Sequence, residues 1–391
     1  MAGETRIRVL GDAVINKIAA GEVVDRPASV VKELVENALD AGSTRIEIEV
    51  VAGGKTLVAV TDNGKGMSRD DALLCLERHA TSKIRDVDDI EHIATLGFRG
   101  EALAAIASVS RMTLQTAAAG ETGGTEIAIH GGRILDVKDA GCPAGTRIVV
   151  RNLFFNVPAR RKFLRTEPTE FAQVRQLLMP YALAWPEIGF RLVSDGREVF
   201  NLPPGAGLIE RLAALYGRPV TDALRPVEHE QDGVRVQGFV GLPQASRADR
   251  AEQYVFINRR PAGAPVLQHA LNEAYQSLLP RGRYPVVFLC LRLDAGDVDV
   301  NVHPTKKEVR FRRPGDVRDA LIEAVRRALG TPSAAAEFPP GPVAPPPEPW
   351  SHPPLSIPDL PPARVFAYPR MPMTPPRSEE HTSELQSRQS I

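Results

Sequence analysis

The chain has 391 residues, with 48 basic and 48 acidic side chains and a formal net charge of zero. That balance gives no global field to steer it toward nucleic acid or membrane, so any polyanion contact must come from local basic patches. Three dispersed cysteines, Cys75, Cys142 and Cys290, offer neither a metal spacing nor a disulfide framework, and no run of about 18 apolar residues occurs. A cytoplasmic protein with no membrane partner is expected, long enough for two folded domains.

The first strong pattern is a helix at residues 30–42. Val31, Leu34, Val35 and Ala38 share one face at helical spacing, and Gly42 is placed to end it. At about 100° per residue, Glu33, Glu36, Asn37 and Asp40 share the other face. Such a cluster by itself reads as solvated surface. Glu36 and Asp40 are like charges four residues apart, and no cation is read at matching spacing. Mg²⁺ would relieve that repulsion, since it takes carboxylate or amide oxygens together with substrate phosphates. Asn37 is then the metal ligand and Glu33 the base.

Strands are expected at residues 45–50 and 56–61 from β-branched content and alternation. The second runs into Asp62, Asn63, Gly64, Lys65, Gly66 and Met67. Read alone this is a turn, but a strand-end aspartate also suits an adenine amino group. Thr81, Ser82 and Lys83 come next, followed by Thr95, Leu96, Gly97, Phe98, Arg99, Gly100, Glu101 and Ala102, opening a helix near residues 101–109. Glycines before a helix leave backbone N–H groups free for phosphate oxygens. Further strands are expected at 111–116, 125–130, 146–152 and 190–194, with a helix at 170–184. Gly145 and Thr146 gain meaning only as part of this ordered set.

A second group of elements runs from 208 to 329, including strands at 234–240, 254–257 and 286–293. The mixed order points to α+β layers, with a first domain at 1–205 and a second at 206–331. Residues 332–376 hold 17 of the chain's 34 prolines and read as a disordered linker. Residues 377–391 change composition abruptly and read as a non-native, adapter-like tail, which implies that a further domain beyond the linker is missing.

Taken in order, these pieces resemble the GHKL ATPases, the superfamily of gyrase B, Hsp90, histidine kinases and MutL. Within it the similarity is to the MutL family of mismatch-repair proteins. It is carried by Asn16 to Val24, by Arg26 to Asn37, by Gly97 to Leu103, by Asn156 to Leu164 and by Val298 to Lys306. The resemblance implies a Bergerat-type α/β sandwich followed by a domain like ribosomal protein S5 domain 2. It makes Glu33 the general base, Asn37 the Mg²⁺ ligand and Asp62 the adenine-binding carboxylate, with Gly66, Met67 and Thr146 lining the base pocket. Thr81, Ser82 and Lys83 would open an ATP lid that residues 96–102 close, and Lys306 would reach the γ-phosphate from the second domain.

The same resemblance implies ATP and Mg²⁺ as cofactors, an ATP-dependent homodimer involving residues 7–24, and a nucleoid-associated cytoplasmic location. Its implied partners are DNA, MutS, and a downstream nicking endonuclease and helicase. Arg160, Arg161, Lys162 and Arg165, together with Arg260, would contact the DNA backbone without reading sequence. A topoisomerase subunit or chaperone of the same superfamily would lack the Gly97 to Leu103 signature. A non-hydrolysing scaffold would have no need of Glu33.

Overall fold

The computed structural model describes residues 20–21, 23–83, 95–97, 100–261, 264–299 and 309–330, all within one of the chain's two compact units, residues 1–344. Helix α1 (Pro27–Asp40) has its proline in the first turn, where a missing N–H costs no helical hydrogen bond. Val31, Leu34, Val35 and Ala38 are buried, as their spacing requires, and Val30 joins them. Gly42 stops the helix at φ +73, with its N–H donating to the Leu39 carbonyl at 3.0 Å.

After α1 come β1 (Arg45–Val51), β2 (Leu57–Asp62), α2 (Arg69–Leu74), α3 (Ala102–Ser108), β3 (Arg111–Ala117), β4 (Gly124–His130), β5 (Arg133–Ala140) and β6 (Gly145–Arg151). They are followed by α4 (Pro158–Phe163), α5 (Glu167–Ala184), β7 (Gly189–Ser194) and β8 (Arg197–Leu202). The eight strands make one sheet in the order β5-β4-β3-β6-β2-β1-β7-β8, in which only β1 and β7 pair in parallel. Alternation along β1 buries Ile46, Ile48 and Val50. With Leu114, Phe190 and Leu192 they share one core with α1 and with Val174 and Leu178 of α5.

The remaining elements are α6 (Leu208–Tyr216), α7 (Arg218–Thr221), β9 (Leu224–Gln231), β10 (Val234–Gly241), β11 (Gln253–Ile257), β12 (Arg260–Pro261), α8 (Pro265–Tyr275), β13 (Val287–Arg292), β14 (Val298–Asp299), β15 (Arg310–Phe311) and α9 (Pro314–Gly330). Five of these strands form a second sheet, β12-β11-β13-β10-β9. Leu267 and Leu271 of α8, and Leu321 and Val325 of α9, share its core with Val236 and Leu289. Arg211 of α6 ties the two halves together. It is 1% exposed and donates to the carbonyls of Ala182, Trp185, Pro186, Ile188 and Pro203 at the end of α5 and around β7 and β8. Burial lowers its guanidinium pKa to about 10.

The expected α+β layering is present, and each strand expected from the sequence forms to within about two residues, the ordinary scatter of element boundaries. β5, β8, β9 and the two-residue strands β12, β14 and β15 had not been expected. β5 is exposed along most of its length and β8 is buried only at Leu202, so neither carries the in-and-out alternation that marks a half-buried strand. The linker at 332–376, the tail at 377–391, Phe98, Arg99 and Lys306 lie outside the described residues, as do all but residues 20, 21, 23 and 24 of the segment 7–24.

Candidate functional site

Sheet register builds one wall of the site. Asp62 pairs with Thr146, and Thr146 with Thr116, so the ends of β2, β6 and β3 lie side by side. Thr116 is buried; its hydroxyl donates to the Gly145 carbonyl at 3.0 Å, accepts from the Met67 N–H at 3.0 Å, and lies 3.0 Å from the Thr146 hydroxyl. Asp62 Oδ1 accepts from Ser43 Oγ at 3.0 Å and from the Gly64 N–H at 2.8 Å. Burial pushes the Asp62 carboxyl above the usual carboxylate range, although these hydrogen bonds oppose the shift. Gly66 has φ +63, and a Cβ there would collide with the Ala117 carbonyl oxygen, so the turn can pass against β3 only as glycine.

Helix α1 supplies the facing wall. Glu33, Asn37, Asp62, Gly66, Met67 and Thr146 line a single cavity of about 1480 Å³. Thr81, Ser82 and Lys83 line it too, with Leu96, Gly97, Gly100, Glu101 and Ala102. A small ligand typically needs about 300–1,000 Å³; the remaining space extends to Gln253, Tyr254, Val255, Phe256 and Arg260 of the second sheet. Gly100, at φ +65, packs so tightly on the Ala80 carbonyl that a side chain would separate residues 80–83 from residues 100–102.

Two expectations about this wall are corrected. The acidic face does have a cation at helical spacing: Lys32 Nζ donates to Glu33 Oε1 at 2.9 Å and to Glu36 Oε2 at 3.0 Å. Lys83 adds a second, with Nζ 2.9 Å from Asn37 Oδ1 and 2.5 Å from Asp40 Oδ2. The amides of Leu96 and Gly97, expected to be free for phosphate, donate to the two oxygens of Asp40 at 2.9 and 3.2 Å. A carboxylate at the end of α1 thus holds residues 96 and 97 against the helix.

Sequence reasoning assigned no role to Glu36 and missed Tyr181. Glu36 is 8% exposed, and its Oε1 accepts from the Tyr181 hydroxyl at 2.6 Å, across 145 residues of sequence. Burial raises the Glu36 carboxyl and holds the Tyr181 phenol well above its usual range. Lys32, Glu33, Glu36 and Tyr181 therefore form one hydrogen-bonded chain along the cavity. Replacing Tyr181 with phenylalanine leaves Glu36 buried with Lys32 as its remaining partner. This should cost about 1.5 kcal/mol, the lower end for a hydrogen bond to a charged group. A lower urea midpoint with unchanged slope is the expected result, and an unchanged midpoint would count against it.

The basic residues separate. Arg161, Lys162 and Arg165 are exposed on and just after α4. Arg160 instead packs its guanidinium against Gly21, with Nη1 buried and without a hydrogen-bond partner among the described residues. Arg260 is not beside them: it lines the cavity and donates to the Thr95 carbonyl at 2.8 Å. There it joins the second sheet to residue 95 of the loop.

Two families match parts of the chain. "Histidine kinase-, DNA gyrase B-, and HSP90-like ATPase" covers residues 25–131, and "DNA mismatch repair protein, C-terminal domain" covers residues 212–330. The DNA mismatch repair protein MutL of Opitutus terrae is 52% identical over 324 residues, 83% of this chain and 52% of that protein. MutL of Geobacter sulfurreducens is 54% identical over 324 residues, 83% of this chain and 53% of that protein. The chain thus spans about half the length of the curated relatives it matches. Among solved structures, the Aquifex aeolicus MutL ATPase domain complexed with ADP is 32% identical, with a TM-score of 0.55, covering 80% of this chain and 99% of that one. The gyrase B subunit of Myxococcus xanthus, 14% identical with a TM-score of 0.53 over 82% of this chain and 95% of that one, shares the fold. With its GHKL fold, its mismatch-repair C-terminal domain and a relative of known structure matched along its whole length, the chain belongs to the MutL family of DNA mismatch-repair proteins.

Proposed function

We propose that the cavity binds ATP with Mg²⁺ and hydrolyses it slowly, and that the cycle acts as a conformational switch. On this reading the switch couples mismatch recognition by MutS to strand incision and unwinding by a downstream endonuclease and helicase. One observation carries it: Glu33, Asn37 and Asp62, from a helix and a strand end, meet in one cavity. The Aquifex relative complexed with ADP, aligned over 80% of this chain, adds support.

The residues suit Mg²⁺. Asn37 Oδ1 and Asp40 Oδ2 already share one cation, the Lys83 ammonium. Mg²⁺ takes one or two protein oxygens and completes its shell with phosphate and water. When bound, Mg²⁺ would screen phosphate charge beside Asn37. The chain itself orients and moves protons. Glu33 accepts a proton from the attacking water while Lys32 fixes its carboxylate. Asp62 accepts from the adenine amino group, with Gly66, Met67 and Thr146 around the ring. Thr81, Ser82, Lys83 and residues 96–102 close over the phosphates, and Lys306 senses the terminal one, coupling hydrolysis to domain orientation. The domain division expected at residue 205 belongs to this reading, since the first sheet ends at Leu202 and the second begins at Leu224.

ATP-dependent homodimerisation, sequence-independent DNA binding by Arg161, Lys162 and Arg165, and a cytoplasmic site of action complete the proposal. Among the described residues no helix is long and apolar enough to cross a membrane. ATP titration and phosphate release on the purified chain test the core of it; neither binding nor release would overturn it. A pH series adds a sharper check. With Oδ1 accepting from Ser43 and Gly64, a proton on Asp62 would sit on Oδ2 and turn the acceptor offered to adenine into a donor, and burial raises the Asp62 pKa above 3.8. Affinity should therefore be full above that raised value and fall as pH drops through it, before ordinary carboxylates protonate. Affinity that holds until pH reaches the ordinary carboxylate range would contradict the role.

A further inference from the structure

Outside the cavity, sheet register lines up four basic side chains that the sequence does not show together. Arg133 of β5 pairs with His130 of β4, His130 with Arg111 of β3, and Arg111 with Arg151 of β6. Directly paired residues on antiparallel strands share a face. All four are exposed, while the adjacent Met112, Ile129 and Val150 point into the core. The four thus form a row across one end of the sheet, facing away from the core, at about 4.8 Å per strand and about 14 Å in all.

Among the described residues none of the four has an acidic partner; Arg111 instead lies over the Phe155 ring, 5.3 Å from its centroid. The next row on this face holds Thr113, Ala128 and Val149, with Asp136 opposite Ala128, and in the row beyond, Glu126 is paired with Lys138 at 2.8 Å. The row also adjoins the basic helix. From Arg151 the chain passes through Phe155, under Arg111, and Asn156, beside Gly131, into α4 with its exposed Arg161 and Lys162.

We infer that the row Arg133, His130, Arg111 and Arg151 is a binding surface for the phosphate backbone of duplex DNA, continuous with α4. Three guanidinium groups on rigid, regularly spaced strands match an anion that repeats at regular intervals, and guanidinium holds phosphate oxygens bidentately. A span of about 14 Å covers the axial rise of about four phosphates of one strand. Exposed Ile134 and Leu135 follow Arg133 on the edge strand, but the row itself is basic and brings no groove-reading element, so its contacts position the duplex without selecting sequence. This rests on the reading of the chain as a DNA-binding protein and adds to it a surface beyond α4.

The test uses the full chain and a fluorescein-labelled duplex of about 30 base pairs, titrated from about 50 to 200 mM salt. Arg111, Arg133 and Arg151 are changed together to glutamine. Affinity should fall about tenfold, and the log–log salt slope should become shallower by about 2–3, since each lost phosphate contact removes about 0.9. The triple arginine-to-lysine variant should recover the slope, and ATP turnover, which the row does not serve, should stay at the wild-type rate. If the triple variant does not fold, Arg133→Gln on the edge strand alone should reduce the slope by about 1. A slope and affinity unchanged in the glutamine variants, while Arg161→Gln with Lys162→Gln weakens binding, would overturn the row and leave DNA binding standing. Wild-type chain that fails to bind the duplex even at the lowest salt would remove both. Loss of binding to phosphatidylserine vesicles or to polyglutamate, with duplex binding intact, would give the row another partner and refute the inference.

Discussion

Replacing Glu33 with alanine should leave ATP affinity unchanged and slow turnover by about 10²-fold or more, the usual worth of a positioned general base. The geometry favours Glu33 over Glu36, two carboxylates on the same helix that both touch Lys32. Glu36 has its second oxygen committed to the Tyr181 hydroxyl, and its side chain is 10% exposed, against 22% for Glu33. Both line the cavity, but among the described residues only Lys32 bonds Glu33, through one oxygen, whereas Glu36 uses both oxygens and anchors the lysine that holds Glu33 in place. A loss confined to kcat, with nucleotide affinity preserved, is the mark of an interaction used only in the transition state. Titration of a fluorescent ATP analogue, paired with single-turnover phosphate release, separates the two quantities. A kcat near the wild-type value would remove Glu33 from the chemistry. An equal loss of affinity would make it a binding residue instead.

The sequence is legible where local rules act alone. Helix α1 is legible from the spacing of Val31, Leu34, Val35 and Ala38 and from Gly42, although it starts at Pro27, three residues before the expected residue 30. β1 and β2 follow from β-branched residues, and Asp62 marks a strand end because glycines follow it. The Glu36–Tyr181 bond had no such signal, because it forms only when α5 packs on α1, and the spacing of neither helix reports on the other. The Lys32 pair is different. Its four-residue spacing to Glu36 is a local signal, and Lys32 sits just before the run of acids that dominates that face of the helix.

Asp40 shows a second limit. Its position on the polar face was legible, but its acceptance of the Leu96 and Gly97 amides depends on a loop returning from 56 residues downstream. The free amides expected there followed from a rule about helix N-termini that takes no account of a nearby carboxylate. Thr116 was missed for a related reason: a threonine in a strand is unremarkable until register sets it beside Thr146. The basic row across β5, β4, β3 and β6 was likewise hidden, since β5 was unreadable and its residues are spread over 41 positions of sequence.

Replacing Asp62 with asparagine should weaken ATP binding by about 10²-fold, or about 2–3 kcal/mol, and the surroundings dictate why. Oδ1 is held between two donors, Ser43 Oγ and the Gly64 N–H. An asparagine there must present its carbonyl to the Gly64 N–H, which can only donate, whereas Ser43 Oγ can turn its one proton to the Ala38 carbonyl at 2.7 Å and accept. The NH₂ is then fixed toward the cavity, where the adenine amino group is itself a donor. Two donors in opposition lose a hydrogen bond and leave a buried group unsatisfied, which is the costly case. The same geometry predicts a change of preference. Inosine triphosphate carries a 6-oxo acceptor in place of the amino group, so the D62N variant should bind it better than ATP, while the wild-type chain keeps the opposite order. The variant should also lose the acid-side fall in affinity that the raised carboxyl gives the wild type. Equal ATP affinity in D62N and wild type would exclude Asp62 from base recognition. Weaker ATP binding with no gain for inosine triphosphate would show that the aspartate supports the turn between β2 and α2 rather than contacting the base.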